Sequence, residues 1–187
     1  MKLIKIILVL LISFNIPFKV ISDNNFKNIL KEGGKLVFIR HAYAPGGGDP
    51  EGFDILNCST QRNLNLEGIE QSKRIGRLFK DNKIMIDKVL SSEWCRCKQT
   101  AEYGFDNIYE TKSFLNSFFS KEFSHNKDKQ IKELKKYIKN WNGKNNLIFV
   151  THYVVIFETL NLPVSSGEIV VTDKDFNILI RQNTMNN

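Results

Sequence analysis

The amino-acid sequence predicts a single α/β domain, built as a three-layer α/β/α sandwich around a mostly parallel sheet. Two observations predict this class. After residue 23, short apolar runs of the buried-strand type alternate with helical patterns. The chain also has 187 residues, which is long enough for one domain with a sizeable core. In such sheets, ligands bind outside the carboxyl ends of the strands.

Four strands are predicted before the carboxyl-terminal hairpin, and the first and last of them show the apolar pattern of a buried strand. The four occupy residues 35–40 ("KLVFIR"), 86–92 ("IDKVLSS"), 108–114 ("IYETKSF") and 146–152 ("NLIFVTH"). The last two segments, "GEIVVTD" and "FNILIRQ", predict a hairpin that turns at Lys174 and Asp175.

Helices are predicted between these strands from apolar residues at helical spacing. They occupy residues 66–80, 95–104, 128–143 and 154–160, and residues 41–63 form a long loop. Asn65 is the expected N-cap of the first helix, and Gly104 is the expected stop of the second. Ser72 and Gly76 form a stripe of small residues, which we expect to pack closely on the sheet.

Residues 1–22 predict a secretory signal peptide, followed by a mature domain of residues 23–187 and an exported, periplasmic location. The uncharged stretch 6–18 is shorter than the roughly 20 residues that a membrane span needs. An uncleaved anchor and a buried first helix are the alternatives. With a cleaved signal, no stable membrane span is expected.

The charge of the chain gives no sign of nucleic-acid binding. The formal net charge is +7, but three of the 27 basic residues and none of the 20 acidic residues lie in the signal segment, leaving +4. This mild bias suits an anionic small substrate, and no basic tract is interleaved with aromatic residues.

The chain has three cysteines, Cys58, Cys95 and Cys97. In an oxidising compartment, Cys58 could form a disulfide with Cys95 or with Cys97, which leaves one free thiol. The alternative is that all three are small buried residues.

Polar pairs follow three of the predicted strands directly. They are Arg40-His41, Ser91-Ser92 and Thr151-His152, and Arg96 lies shortly after the second pair. The strand-end rule predicts one crevice that collects Arg40, His41, Arg96 and His152. Arginine offers a fork of donors suited to phosphate oxygens, and a histidine can act as a nucleophile or a donor. This set is adequate for phosphoryl transfer without a metal or cofactor.

Four sequence blocks together resemble the histidine phosphatase superfamily, the phosphoglycerate-mutase-like phosphatases. They are "LVFIRHA", "LNLEGIEQSKRIGRLF", "LSSEWCRCKQTAE" and "LIFVTH", and the resemblance extends from residue 35 to about residue 172. The short exported form is most similar to the branch that contains lipopolysaccharide core heptose phosphatase-like proteins.

The resemblance implies a role for each residue of the predicted crevice. His41 would be the nucleophile that becomes phosphorylated, and Arg40 would bind the phosphate beside it. Arg96 would be the second arginine of the clamp, and His152 would donate to a phosphate oxygen. From the chemistry alone, His41 needs one free nitrogen aimed at phosphorus, and a carbonyl or carboxylate should fix its other nitrogen.

The sequence departs from the family pattern in two ways. The family motif is usually Arg-His-Gly, whereas Ala42 follows His41 here, a small residue that we expect to be tolerated. No clear motif places a general acid, for which the candidates are Asp54, Glu122 and Glu168. Without an acid the enzyme would favour good leaving groups. Arg62, in the loop after His41, is a candidate substrate-binding residue.

The predicted function is hydrolysis of phosphomonoesters through a covalent phosphohistidine. The alternatives are a phosphohistidine or acyl-phosphate hydrolase and a catalytically silent phosphate-binding envelope protein. The expected partner is a phosphorylated small molecule or an envelope glycan, and the sequence leaves the oligomeric state open. A zinc set of Cys95, Cys97, His41 and His152 is disfavoured, because the cysteine spacing is too tight and Arg96 would repel a cation.

Overall fold

The computed structural model describes the backbone of residues 18–185 and the side chains of residues 24–185. Within these residues the chain forms six strands and five α-helices. The strands are β1 (Leu36–Arg40), β2 (Ile86–Ser91), β3 (Glu110–Thr111), β4 (Asn146–Thr151), β5 (Ile169–Thr172) and β6 (Ile178–Gln182). The helices are α1 (Phe18–Lys31), α2 (Leu66–Lys80), α3 (Cys95–Gly104), α4 (Lys127–Asn140) and α5 (Tyr153–Leu160).

All six strands lie in one sheet, in the order β3-β2-β4-β1-β5-β6. The pairs β3–β2, β2–β4 and β4–β1 are parallel, whereas β5 is antiparallel to both β1 and β6. The expected α/β class and the carboxyl-terminal hairpin are therefore confirmed. The predicted strand at 108–114 is too long, because only Glu110 and Thr111 pair before the chain turns into a 3₁₀ segment at Ser113–Leu115.

Helices pack on both faces of the sheet, because neighbouring strand residues point to opposite sides. Val37 and Ile39 belong to a core that also contains side chains of α1, α2 and α3. Leu36 and Phe38 belong to a second core, with side chains of α4 and α5. A fully buried apolar side chain of this size contributes about 1.5–3 kcal/mol. The central strands are therefore held from both sides.

Helix α2 begins and packs for identifiable reasons. The Asn65 side-chain oxygen accepts a hydrogen bond from the Gly68 amide at 2.9 Å, which confirms the predicted N-cap. The small-residue stripe packs against α3 instead of the sheet, because Gly76 lies directly against the backbone carbonyl of Gly104. Any side chain at position 76 would collide with that carbonyl, so α2 and α3 approach closely only with glycine there.

The predicted signal peptide falls mostly on residues 1–17, which lie outside the described residues. Helix α1 begins at Phe18 and continues past the expected boundary at residue 22. Its residues Phe26 and Leu30 are buried in the core. None of the helices in residues 18–185 has the length and hydropathy that crossing a bilayer requires.

A disulfide joins Cys58 to Cys95, and not to Cys97. It connects the long loop after β1 to the first residue of α3. Cys97 is free and fully buried, and burial raises the pKa of its thiol to about 12. The thiol is therefore inert at neutral pH.

The disulfide should carry a substantial part of the stability. It closes a loop with a sequence separation of 37 residues. A bridge of this span stabilises by about 3–4 kcal/mol, because it restricts the unfolded chain.

We expect the double variant Cys58→Ala/Cys95→Ala to lose about this free energy of unfolding in urea denaturation. Dithiothreitol should destabilise the natural chain to a similar extent and leave the double variant unchanged. Equal stability of the oxidised and double-variant chains would contradict the expectation.

Candidate active site

The two histidines of the predicted crevice lie side by side at the carboxyl edge of the sheet. Arg40, the last residue of β1, is in register with Thr151, the last residue of β4. His41 and His152 therefore follow at the same level, and the His41 amide donates to the Thr151 carbonyl at 2.9 Å. Their ring centroids are 5.5 Å apart. Parallel strand pairing thus places the two imidazoles in one location.

A cleft of about 520 Å³ opens beside these rings. Arg40, His41, Arg96 and His152, the four residues that the strand-end rule predicts to meet, all line it. Arg62 lines it too. The strand-end rule therefore located this cluster correctly, while the catalytic roles of its members stay predictions.

His41 is held in a single tautomer. Its Nδ1 lies 2.9 Å from the Ala42 carbonyl, which can only accept, so Nδ1 carries the proton. The Nε2 atom keeps its lone pair and accepts a hydrogen bond from Nε of Arg96 at 3.3 Å. The backbone carbonyl is the fixing partner that the sequence could not name. Ala42 itself has an ordinary negative φ, and its amide donates to the Thr100 hydroxyl at 2.9 Å.

Both histidines are neutral at neutral pH. Burial lowers the pKa of His41 well below 6.5, and the positive charges of Arg96, Arg40 and Arg62 lower it further. The pKa of His152 is lowered well below 6.5 for the same main reasons, burial first and Arg96 second. Neutral His41 offers a nitrogen lone pair over the whole neutral range, as a nucleophile requires.

His152 is oriented by a hydroxyl on the neighbouring strand end. Its Nε2 lies 2.9 Å from Oγ of Ser92, whose own proton is donated to Asn116 at 3.0 Å. Nε2 therefore donates, and Nδ1 keeps a lone pair, 3.5 Å from Nη2 of Arg96. In the free protein this Nδ1 is an acceptor. Donation to a phosphate oxygen requires that His152 take up a proton together with the anion.

Arg96 is fixed by a buried carboxylate, Asp49. Its Nη1 donates to both Asp49 oxygens, at 2.8 and 3.0 Å, and the two side chains are 5 % and 10 % exposed. Asp49 also accepts from the Trp94 indole at 3.2 Å and from the Arg62 amide at 3.1 Å. The pairing leaves Nε and Nη2 of Arg96 directed at His41 and His152.

Sequence reasoning did not single out Asp49 as a site residue. The available signal is its position directly after Gly46, Gly47 and Gly48, in the loop that follows His41. Glycine at position 46 has a φ of +101°, which favours glycine, and the three glycines also line the cleft. The loop therefore folds back over the strand ends and brings its carboxylate to Arg96.

Arg40 and Arg62 line the cleft, and each has one buried donor without a partner among the described residues. Nη1 of Arg40 donates to the Val164 carbonyl at 2.8 Å, and its guanidinium lies 5.6 Å from the centroid of the Tyr153 ring. Nη1 of Arg62 donates to the Gly46 carbonyl at 2.7 Å. In both arginines Nε is buried without a hydrogen-bond partner among the described residues. Burial is the main cause that lowers the pKa of both side chains.

An anion bound in the cleft would offset the positive charge that the arginines concentrate there, because neighbouring guanidinium groups repel one another. Three guanidiniums face only one lining carboxylate, Asp49, in the part of the chain that the structure describes. The arrangement is therefore suited to an oxyanion with several acceptor oxygens.

The three candidate general acids lie outside the cleft lining. The Glu168 carboxylate is buried and accepts from Nε of Arg181 at 2.7 Å. Asp54 and Glu122 are exposed, and Asp54 accepts from the Leu56 amide at 2.8 Å. A catalytic role for any of the three would require a conformational rearrangement, and stays a prediction.

Comparisons with known proteins identify the fold. No protein-family model matches the sequence, and no curated protein matches it. Solved structures do match. The protein histidine phosphatase SixA complexed with tungstate is 17% identical, with a TM-score of 0.58, and the match covers 81% of this chain and 98% of that one. The fold is that of the histidine phosphatases.

Two further structures support this assignment of the fold. The alpha-ribazole phosphatase from Shigella flexneri is 18% identical with a TM-score of 0.54, covering 74% of this chain and 90% of that one. The second is a mycobacterial glucosyl-3-phosphoglycerate phosphatase complexed with VO3. It is 12% identical, with a TM-score of 0.54. That match covers 73% of this chain and 91% of the phosphatase. At these identities the likeness establishes the fold alone.

The two neutral histidines should make the stability depend on pH. Above pH 6.5 the imidazoles are neutral in both the folded and the unfolded chain, so their contribution to stability is fully present. Below pH 6.5 the unfolded imidazoles take up protons, whereas the folded ones do not, because their pKa values are lowered. The free energy of unfolding should then fall by up to about 1.4 kcal/mol per pH unit for each histidine.

Urea denaturation between pH 7.5 and 5.5 measures this slope. The variant His41→Asn should lose about half of it. A free energy of unfolding that stays constant from pH 7 to 5.5 would contradict the assignment of buried neutral imidazoles.

Proposed function

We propose that this protein is a phosphatase that hydrolyses phosphomonoesters through a covalent phosphohistidine on His41. One observation carries the proposal. The Ala42 carbonyl keeps the proton of His41 on Nδ1, which leaves the lone pair on Nε2. This nitrogen lies in a cleft that Arg40, Arg62 and Arg96 also line. A neutral nucleophile surrounded by cations is the combination that attack on a phosphate ester requires.

In the first step, the arginines bind the non-bridging phosphate oxygens. The Nε2 lone pair of His41 forms a bond to phosphorus while the bond from phosphorus to the ester oxygen breaks. The electron pair of the broken bond stays on the leaving oxygen. His152 takes up a proton as the anion binds and donates it in a hydrogen bond to a phosphate oxygen.

In the second step, water attacks the phosphorus of the phosphohistidine. The bond from nitrogen to phosphorus breaks, its electron pair returns to Nε2, and inorganic phosphate leaves. One proton of the attacking water stays on the phosphate and the other is released to solvent, which balances the proton that the leaving oxygen takes from water. The Ala42 carbonyl keeps the Nδ1 proton in place throughout, so His41 returns to its starting tautomer. No step requires a metal ion.

The likeness to solved structures supports the proposal at the level of the fold. Two of the neighbours are complexed with tungstate or VO3, oxyanions of metals that resemble phosphate in shape and charge. One of them is itself a protein histidine phosphatase. That name favours the second candidate function, hydrolysis of a phosphohistidine or acyl phosphate, over a silent phosphate binder.

We also propose that the protein is exported and acts on a phosphorylated small molecule; an envelope glycan, which the resemblance to lipopolysaccharide core heptose phosphatase-like proteins implies, is the alternative. The positively charged start of the chain and its short apolar stretch support this location. The Cys58–Cys95 disulfide also supports it, because such bonds persist in oxidising compartments.

The variant His41→Ala tests the nucleophile. It should abolish turnover of 4-nitrophenyl phosphate and should also abolish covalent labelling by a radiolabelled phosphate ester, because it removes the nitrogen that forms the bond to phosphorus in the proposed mechanism. His125→Ala, which removes an exposed histidine, is the matched control and should keep both. Activity above a few per cent in His41→Ala would exclude the covalent scheme. A bound phosphate with neither turnover nor labelling in the natural chain would identify the silent binder instead.

The variant Arg96→Ala tests the phosphate clamp. Loss of one charge-assisted hydrogen-bonding group costs about 1.5–3 kcal/mol, so affinity for tungstate should fall roughly 10- to 100-fold. Calorimetric titration measures this change. Because Arg96→Ala leaves Asp49 buried without its partner, the double variant Asp49→Ala/Arg96→Ala shows whether the loss comes from the missing cation. Arg77→Ala removes an exposed arginine of α2 and should bind normally. Unchanged affinity in both Arg96 variants would remove Arg96 from the clamp.

A further inference from the structure

The wall of the cleft beyond the cationic end is aromatic. The ring centroid of Trp94 lies 5.8 Å from that of Phe53 and 5.3 Å from that of Phe123, and Phe53 and Phe123 are 5.9 Å apart. Trp94 also contacts the ring of His152, with centroids 5.6 Å apart. An apolar surface therefore starts at the second histidine and runs toward the mouth of the cleft.

Phe119 extends this surface at the mouth. Its side chain lines the cleft and is 74 % exposed, whereas Phe114 and Phe118 of the same segment are buried in the core. Packing against the fold accounts for Phe114 and Phe118. It does not account for a large aromatic side chain left in water, and exposed aromatic groups at a cleft mouth are typical of binding sites.

Polar partners for the leaving group are few. Outside the phosphate end, the described lining offers the side-chain hydroxyls of Ser117, Ser120 and Tyr153. A sugar with many hydroxyl groups would find few partners, and unpaired polar groups cost free energy when buried. The lining therefore favours an apolar leaving group with a flat face.

The carboxylate of the cleft is not arranged as a proton donor. Asp49 is the one acidic side chain in the described lining, and both of its oxygens accept from Nη1 of Arg96. The Trp94 indole and the Arg62 amide donate to it as well. All of these partners are N–H groups, so the carboxylate accepts and carries no proton to pass on. In the proposed mechanism the proton of His152 is held in the hydrogen bond to a non-bridging phosphate oxygen, so neither His152 nor Asp49 protonates the leaving oxygen. That oxygen then departs as an anion, which favours an acidic alcohol.

We propose that the substrate is an aryl phosphate, the phosphate monoester of a phenol, whose ring lies against Phe119 and Phe123. This rests on the phosphatase function proposed above. The Nε2 atom of His41 bonds to phosphorus, the bond to the phenolic oxygen breaks, and its electron pair stays on that oxygen. The phenolate leaves without a proton and takes one from water afterwards. Phenols satisfy both observations, since they are planar and more acidic than alkyl alcohols.

Four substrates separate the two requirements. Phenyl phosphate has the ring and the acidic leaving group, acetyl phosphate has only the acidic leaving group, benzyl phosphate has only the ring, and glucose 6-phosphate has neither. We expect kcat/KM to be higher for phenyl phosphate than for benzyl phosphate, and higher for benzyl phosphate than for glucose 6-phosphate. Acetate is a much better leaving group than phenolate, so acetyl phosphate serves only as the ring-free reference for the variants. A preference for glucose 6-phosphate over benzyl phosphate would overturn the role of the aromatic wall.

The variant Phe119→Ala tests the wall directly. It should lower kcat/KM for phenyl phosphate about 3- to 10-fold, as expected for loss of one aromatic contact, and should leave acetyl phosphate unchanged. Ile108→Ala, which removes a 76 % exposed apolar side chain outside the cleft, should affect neither substrate. Equal effects of Phe119→Ala on both substrates, or no effect on either, would overturn the proposal.

Substituted phenyl phosphates test the missing proton donor. Without an acid, log kcat/KM should fall steeply as the leaving phenol becomes less acidic, and Asp49→Asn should keep that slope even if it lowers the rates. A shallow slope that becomes steep in Asp49→Asn would make Asp49 the acid and overturn this part of the proposal.

The same measurements distinguish an incorrect substrate class from an incorrect phosphatase function. If no substrate is turned over and His41 is not labelled, both fall. If His41 is labelled and glucose 6-phosphate is preferred to phenyl phosphate, the phosphatase function stands and the aryl substrate is wrong.

Discussion

The parallel pairing of β1 with β4 is the constraint on which the rest of the site depends. It ends in register at Arg40 and Thr151, so the next residue of each strand is a histidine at the same level. The distance between the imidazoles is therefore set by the spacing of neighbouring strands. Two apolar cores hold those strands from both faces, and the long loop only has to bring its side chains to an edge that is already fixed.

The site concentrates positive charge on side chains that are buried or partly buried. Three arginines line the cleft, one carboxylate neutralises part of their charge, and two guanidinium Nε atoms have no partner among the described residues. Such an arrangement opposes folding locally, because buried donors and like charges both cost free energy. The buried sheet offsets this cost.

The elements that the sequence predicted well are those defined by local patterns. The strands β1 and β4 are short runs of mostly apolar, buried residues, and Asn65 caps α2 through a contact three residues away. The strand-end rule then located the cluster of histidines and arginines. Each of these inferences needs only the chain near the residue in question.

The features that the sequence left open depend on contacts between distant segments. Cys95 and Cys97 are two positions apart on a helix and face nearly opposite sides, so one meets Cys58 and the other the core. Glu168 is paired with Arg181 of β6, a partner that only the hairpin register brings near. Asp49 reaches Arg96 through the path of a loop, which no periodicity encodes.

The two ends of the cleft are formed by different kinds of backbone structure, one regular and one irregular. Its cationic end is formed mainly by residues at strand ends and on α3, whereas Phe119 and Phe123 belong to an irregular segment between β3 and α4. Irregular surface segments tolerate substitution and insertion far better than paired strands. If the proposed function holds, selection can exchange one leaving-group preference for another in residues 117–123 without altering the residues placed at phosphorus. The two ends of the cleft can then change independently of each other.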